Sequence, residues 1–146
     1  MTTSTLDQAV EGRLRSSGVR YTAARRAVVA VLNRASGPLS AGEIHEEAGG
    51  EIPLSSVYRT LNVLEESGIL VPHFGVKGLT RYELAEWIAG HHHHLVCSRC
   101  GSVEDVDVPS GMEARVTAVV EDLAALASFD PTNHLLEIEG TCIACR

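Results

Sequence analysis

The chain has 146 residues, 45% apolar and 21% charged, with 12 Lys+Arg against 19 Asp+Glu and a formal net charge of -7. That length suffices for one ordinary domain or two small ones with a core. No apolar run long enough for a bilayer and no secretory leader is evident, so a soluble, cytoplasmic protein without a membrane partner is expected. The acidity is uneven: residues 1–83 carry nine basic against nine acidic side chains, and residues 84–146 carry three against ten. Between Gly12 and Gly42 lie Arg13, Arg15, Arg20, Arg25, Arg26 and Arg34 with no carboxylate. Such a run is either a footprint for phosphate or a solvated helix face.

In chain order, Leu6 to Ser16 reads as a helix stopping near Gly18. Thr22 can cap a second, with Ala27, Val28, Val31 and Leu32 as its apolar stripe and the Gly37-Pro38 pair as its end. Ser40 and Glu43 form a capping-box signature for a short third helix. Ser55 or Ser56 can cap a fourth, SSVYRTLNVLEESG, with Val57, Leu61 and Leu64 on one face and Gly68 just past its end. Ile69 to Phe74 and Thr80 to Leu84 then read as two strands around a turn at Gly75 to Gly78.

Helices followed by a hairpin suggest a winged helix-turn-helix, in which the fourth helix enters the major groove of double-stranded DNA. Its outward Ser55, Ser56, Tyr58, Arg59 and Asn62 are groups that read base edges and hold phosphates, although the same face would suit an ordinary helical hairpin.

Beyond about Glu86 the character changes. His93 to Cys97, Val103 to Val108 and His134 to Glu139 read as strands, and residues 110–128 as an Ala/Val-rich helix. All four cysteines fall in two CxxC pairs, Cys97 with Cys100 and Cys142 with Cys145. Each pair lets one tight turn present two sulfurs, and four thiolates make the closed tetrahedral cage Zn2+ prefers in structural sites. In a reducing compartment metal ligation is favoured over disulfides. The unit also has more apolar surface than 60-odd residues can bury alone, so a homodimer is expected.

The run His91 to His94 lies outside that cage. If extended, it points His91 and His93 to one face and His92 and His94 to the other, so one strand can serve two metals. Glu83, Asp105, Glu113 and His134 are candidate partners; the bland alternative is a polar strand edge. Neither HExxH nor a HxE…PCxxC pattern is present, so a zinc hydrolase or deaminase is not expected. A rival outside catalysis is a zinc-stapled protein-interaction module.

The segments GVRYTAARRAVV, SSVYRTLNVLEESGIL, RYEL, HHHHLVCSRCG, MEAR and HLLEIEGTCIAC together resemble the ferric-uptake-regulator (Fur) family of metal-responsive repressors, over almost the whole chain. The resemblance implies an α+β fold with a winged-helix DNA-binding domain, residues 1–85, and a small α/β dimerisation domain stapled by zinc, residues 86–146. It also implies a metal-dependent repressor of metal-homeostasis genes, binding as a homodimer to a palindromic operator, and not an enzyme. Cys97, Cys100, Cys142 and Cys145 match the structural zinc cage. Glu83, His92 and His94 match the regulatory site, with Asp105 where some members place a further carboxylate, and His91, His93, Glu113 and His134 match a third site. Arg20, Tyr21, Thr22, Arg25, Ser55, Ser56, Tyr58 and Arg59 are the expected DNA contacts.

Three departures stand out. Pro38 takes a position where many members carry a ligand histidine, leaving Asp105, His45, His73 or water to complete the regulatory site. AEWIAG lengthens the link to the histidines, and Ala24 stands where many members have Gln. With no cysteine to spare, the regulatory donors are imidazole and carboxylate, a set suited to Fe2+ or Mn2+ that also admits Zn2+ or Ni2+. Iron is the expectation, with peroxide sensing through bound Fe2+ as a variant.

Overall fold

The computed structural model describes residues 2–146 and is α+β. Helices α1 (Thr3–Ser16), α2 (Ala23–Arg34), α3 (Ala41–Glu47) and α4 (Leu54–Glu66) precede a sheet of order β1-β3-β2, made of β1 (Leu39–Ser40), β2 (Leu70–Phe74) and β3 (Thr80–Leu84). This is a winged helix-turn-helix. After α5 (Glu86–Ala89) comes a second sheet of order β5-β4-β6, with β4 (His93–Cys97), β5 (Val103–Val106) and β6 (Glu137–Gly140), plus the long α6 (Ser110–Leu126).

Local chemistry explains the N-terminal boundaries. The Thr22 hydroxyl accepts from Arg25 N–H, and Ser40 and Glu43 close a complete capping box. Gly68, at φ +67, supplies the left-handed residue that ends α4 and lets Ile69 N–H return to the Leu64 carbonyl. The core is one cluster in which Leu6, Val10 and Leu14 of α1 meet Val28, Val31, Ile44, Leu61, Leu64, Ile69 and Leu84. Burying each such side chain stabilises the fold by about 1.5–3 kcal/mol.

Some expectations shift. The N-cap of α4 is Pro53 and not Ser55 or Ser56; it makes no side-chain cap, which leaves both serine hydroxyls in the first turn. The AEWIAG link is wound into α5, stopped by Gly90 at φ +85. The last strand starts at Glu137, so His134 lies in the irregular segment before it. In the histidine run only His93 and His94 belong to a strand.

The C-terminal half differs physically. Helix α6 has no buried residue, while Val119, Leu123 and Leu126 on it, and Leu135, Ile138 and Ile143 nearby, are exposed. What is buried there is His93, His94, Val96, Cys97 and Val103. The halves touch through the α2–β1 loop: Asp105 N–H donates to the Ser36 carbonyl at 3.0 Å, and Gly37 packs on the Val103 carbonyl. At the wing tip, Lys77 Nζ donates to the Arg99 carbonyl at 2.6 Å.

Candidate metal centres

Cys97 ends β4 and Cys100 follows in its turn, while Cys142 precedes the 3-10 turn Ile143–Cys145 and Cys145 ends it. Their four sulfurs lie within 4.8 Å of one another, Cys100 and Cys142 at 3.8 Å. Cys142 N–H donates to the Cys97 sulfur at 3.4 Å. That backbone N–H and the one from Cys100 bring the Cys97 thiol down to about 6, whereas Cys145, facing the thiols of Cys142 and Cys100, is pushed up to about 12. Sulfurs this crowded cannot all ionise without a cation to balance them, which is the chemistry a tetrathiolate zinc cage requires.

The histidines divide as their alternation predicts. On one side, His91 Nε2 lies 3.1 Å and His93 Nε2 2.7 Å from the Glu113 carboxylate, which reaches in from the first turn of α6. His134 Nε2 sits 3.0 Å from the same group yet makes no hydrogen bond. A buried imidazole nitrogen beside a carboxylate but not directed at it suits a ring aimed at a shared ion. Glu86, which the sequence did not single out, adds a contact of 2.9 Å to His91 Nδ1 because α5 folds back over the run.

On the other side, Glu83 at the end of β3 meets the C-terminal sheet. Its Oε2 is 2.9 Å from His92 Nε2 and 3.1 Å from His94 Nε2, and Asp105, paired with His94 across β4 and β5, lies 3.7 and 3.5 Å from those nitrogens. The ligand-type atoms of all four residues lie within 4.8 Å of one another. Burial alone would raise the Glu83 carboxyl, but hydrogen bonds from His73, His94 and His92 outweigh it and hold the group well below the usual carboxylate range. Asp105 shifts upward, chiefly through burial. Two imidazoles and two carboxylates converging on one point can hold a divalent cation.

Of the candidates for completing this site, Asp105 faces it and His73 reaches Glu83, its Nε2 lying 2.6 Å from Oε1. His45 does not reach it: its Nδ1 is hydrogen-bonded to the Ile52 carbonyl at 2.7 Å. Pro38 is buried, and its carbonyl accepts from Arg81. A cavity of about 280 Å³ lined by His73, Glu83, His91, His92, His94 and His134 runs beside both histidine clusters.

Residues 16–139 match the sequence pattern of the ferric uptake regulator family. The chain belongs to that family. It is 33% identical over 138 residues to the ferric uptake regulation protein of Legionella pneumophila, covering 92% of this chain and 96% of the relative. To the peroxide operon regulator of Bacillus subtilis it is 32% identical over 147 residues, covering 96% and 92%. The structure superposes on the Helicobacter pylori ferric uptake regulator Fur, described as having three functional metal binding sites, with a TM-score of 0.77 at 27% identity, covering 99% of this chain and 94% of that one.

On this Fur-family scaffold α4 presents Ser55, Tyr58, Arg59 and Asn62 to solvent, with Ser56 half-buried. Arg59 Nη2 donates to Ser56 Oγ at 3.2 Å. Nearer the N-terminus, Arg20 and Thr22 are exposed, and Arg25 donates to the Arg20 carbonyl. Tyr21 is held inward: its hydroxyl donates to Asp7 at 2.8 Å under the Arg26 guanidinium. The arginine run is also less free than its sequence suggests. Arg13 caps the Ser67 carbonyl, Arg26 pairs with Asp7, and Arg34 donates to the Glu47 carbonyl, because α1, α3 and the end of α4 bring acceptors from outside the run.

Proposed function

We propose that this Fur-family chain is a metal-responsive, DNA-binding transcriptional repressor of metal-homeostasis genes that senses iron. The observation that carries the reading is the Glu83, His92, His94 and Asp105 cluster, whose donors come from the N-terminal hairpin and the C-terminal sheet together. A divalent ion held by all four favours the arrangement in which the two halves are closed. Metal then raises operator affinity by its differential affinity for that state, a coupling of about 1–3 kcal/mol in ordinary cases. The donor set of nitrogen and oxygen favours Fe2+ or Mn2+ over a soft ion.

In this reading Cys97, Cys100, Cys142 and Cys145 hold structural zinc, and His91, His93, Glu113 and His134 hold a third ion. The apolar face of α6 and β6 joins two copies into a homodimer. Residues 1–85 and 86–146 act as the DNA-binding and dimerisation units. Ser55, Ser56, Tyr58 and Arg59 face a palindromic operator, the uncapped start of α4 offering free N–H groups to phosphate, and Arg20, Thr22 and Arg25 add backbone contacts.

Anaerobic fluorescence anisotropy of the zinc-stapled protein on its own upstream DNA, titrated with Fe2+, Mn2+, Zn2+ and Ni2+ separately, tests the reading. One metal switching binding on at a plausible free concentration supports it; DNA binding that is equal with and without metal overturns it. Asp105 within 3.5 Å of His94 favours a second reading, peroxide sensing by Fe2+ beside a carboxylate. Loss of the iron response after peroxide treatment would select it.

A further inference from the structure

One group of side chains belongs to neither histidine cluster as a whole. His73 on β2, His94 on β4 and Glu137 on β6 bring their ligand-type atoms within 4.8 Å of one another. Glu137 lies directly across from His94 in the parallel pairing of β4 with β6, and has no ion-pair partner among the described residues. His94 is 6% exposed, and its ring sits edge-on to His73 at 4.5 Å and to His92 at 5.0 Å. Its Nε2 faces Glu83 and Asp105, and an imidazole carries a second nitrogen. Among the described residues, His94 is therefore the one common to two convergent sets of donors.

We propose that His73, His94 and Glu137 form a further divalent-cation position that adjoins the Glu83 cluster and draws on the same His94 ring. Two imidazole nitrogens and one carboxylate oxygen make a borderline set, matched to Zn2+, Ni2+ or Fe2+ and poorly to Mg2+ or Ca2+, with the remaining coordination open to water. Its three ligands come from both sheets, so an ion there ties the wing strand β2 directly to β4 and β6. That link does not pass through the α2–β1 loop, where Pro38 stands. The position rests on His94 also serving the proposed regulatory site, so loading one position changes what the other can bind.

The test isolates this position from the regulatory one. Full-length protein with zinc retained in the cysteine cage is prepared as His92→Ala, which disables the Glu83 cluster while leaving His94, and as the double variant His92→Ala/Glu137→Gln. Co2+ binding is followed by equilibrium dialysis and visible absorption. The expected result is one Co2+ fewer per protomer in the double variant, and the same loss in His92→Ala/His73→Gln. Equal stoichiometry in His92→Ala and His92→Ala/Glu137→Gln overturns the proposal. Glu137 is exposed and the change conservative, so loss of fold does not confuse the comparison. The regulatory reading is judged separately, by whether His92→Ala alone loses metal-dependent DNA binding.

Discussion

The backbone N–H of Asp105 donates to the carbonyl of Ser36 at 3.0 Å, so the residue whose carboxylate faces His92 and His94 is fastened by its own main chain to the loop leading into α3. The next residue, Gly37, has no room for a side chain: a Cβ there would stand 2.3 Å from the Val103 carbonyl. Gly37→Ala must therefore push the loop off β5. Metal binding is expected to persist while the metal-dependent gain in operator affinity falls at least about tenfold, the equivalent of about 1.4 kcal/mol of lost coupling. Metal stoichiometry and anisotropy measured on the same preparation check this; an unchanged gain would show that the loop contact does not couple the halves.

His92→Ala or His94→Ala removes one of two imidazoles from the Glu83 cluster. The dimer should stay folded, with unchanged far-ultraviolet circular dichroism, while metal-dependent DNA binding disappears. A variant responding like the parent would remove the assignment.

Metal uptake should also depend on pH. Burial lowers the His92 pKa, but the Glu83 carboxylate and the Gly90 carbonyl outweigh it, and the net value is raised above 6.5. In the metal-free protein His92 thus keeps its proton at and somewhat above that pH, and the ion must displace it. Co2+ affinity at the Glu83 cluster should rise as pH increases from about 6 to about 8, the range over which histidine loses its charge, with proton release on binding visible by calorimetry in two buffers. A flat profile would separate His92 from the ion.

Glu43 supports stability in a different way. Burial would raise its pKa, but hydrogen bonds from Ser40 and the Arg81 guanidinium at 2.6 Å prevail and lower it below 4.5. Its contribution is therefore fully present above the unfolded value and is lost as pH falls through the lower folded value. Glu43→Ala breaks the α3 capping box and leaves the Arg81 guanidinium with the Pro38 carbonyl. Loss of a cap of this kind costs about 0.5–2 kcal/mol. Urea unfolding at pH 7 should show the deficit, and it should shrink toward pH 3.

Cys100→Ser or Cys142→Ser should have the largest structural effect. The C-terminal half buries little apolar surface on its own, and structural zinc contributes about 10–16 kcal/mol in small metal-folded peptides. Zinc content should fall by one equivalent per protomer, with the helical signal of α6 and the dimer lost together in circular dichroism and sedimentation. A variant that keeps its fold without zinc would argue against the cage as the staple.

Spacing along the chain was enough for the cysteine cage, because two CxxC turns have few ways to present four sulfurs. Side-chain alternation along an extended run likewise separated His91 and His93 from His92 and His94, since successive Cβ atoms of extended backbone point to opposite faces, although only His93 and His94 lie on β4. Helices α1 to α4 were legible because their apolar periodicity and caps are local; the α4 start was misplaced because Pro53 fixes its own backbone conformation without a side-chain cap. Only the tertiary structure decided the rest. It set Asp105 beside His92 and His94 and kept His45 away from them, its ring taken by the Ile52 carbonyl. It brought His73 to Glu83, folded α5 so that Glu86 reaches His91, and set Glu137 opposite His94 across a parallel pairing that sequence separation conceals. It also engaged Arg13, Arg26 and Arg34 with acceptors from other elements. Most of those outcomes depend on contacts between residues 10 to more than 50 positions apart, such as His73 with Glu83 and Arg13 with Ser67; the shorter ones, His45 with Ile52 and Glu86 with His91, depend on how a loop folds back, and no local pattern encodes either kind.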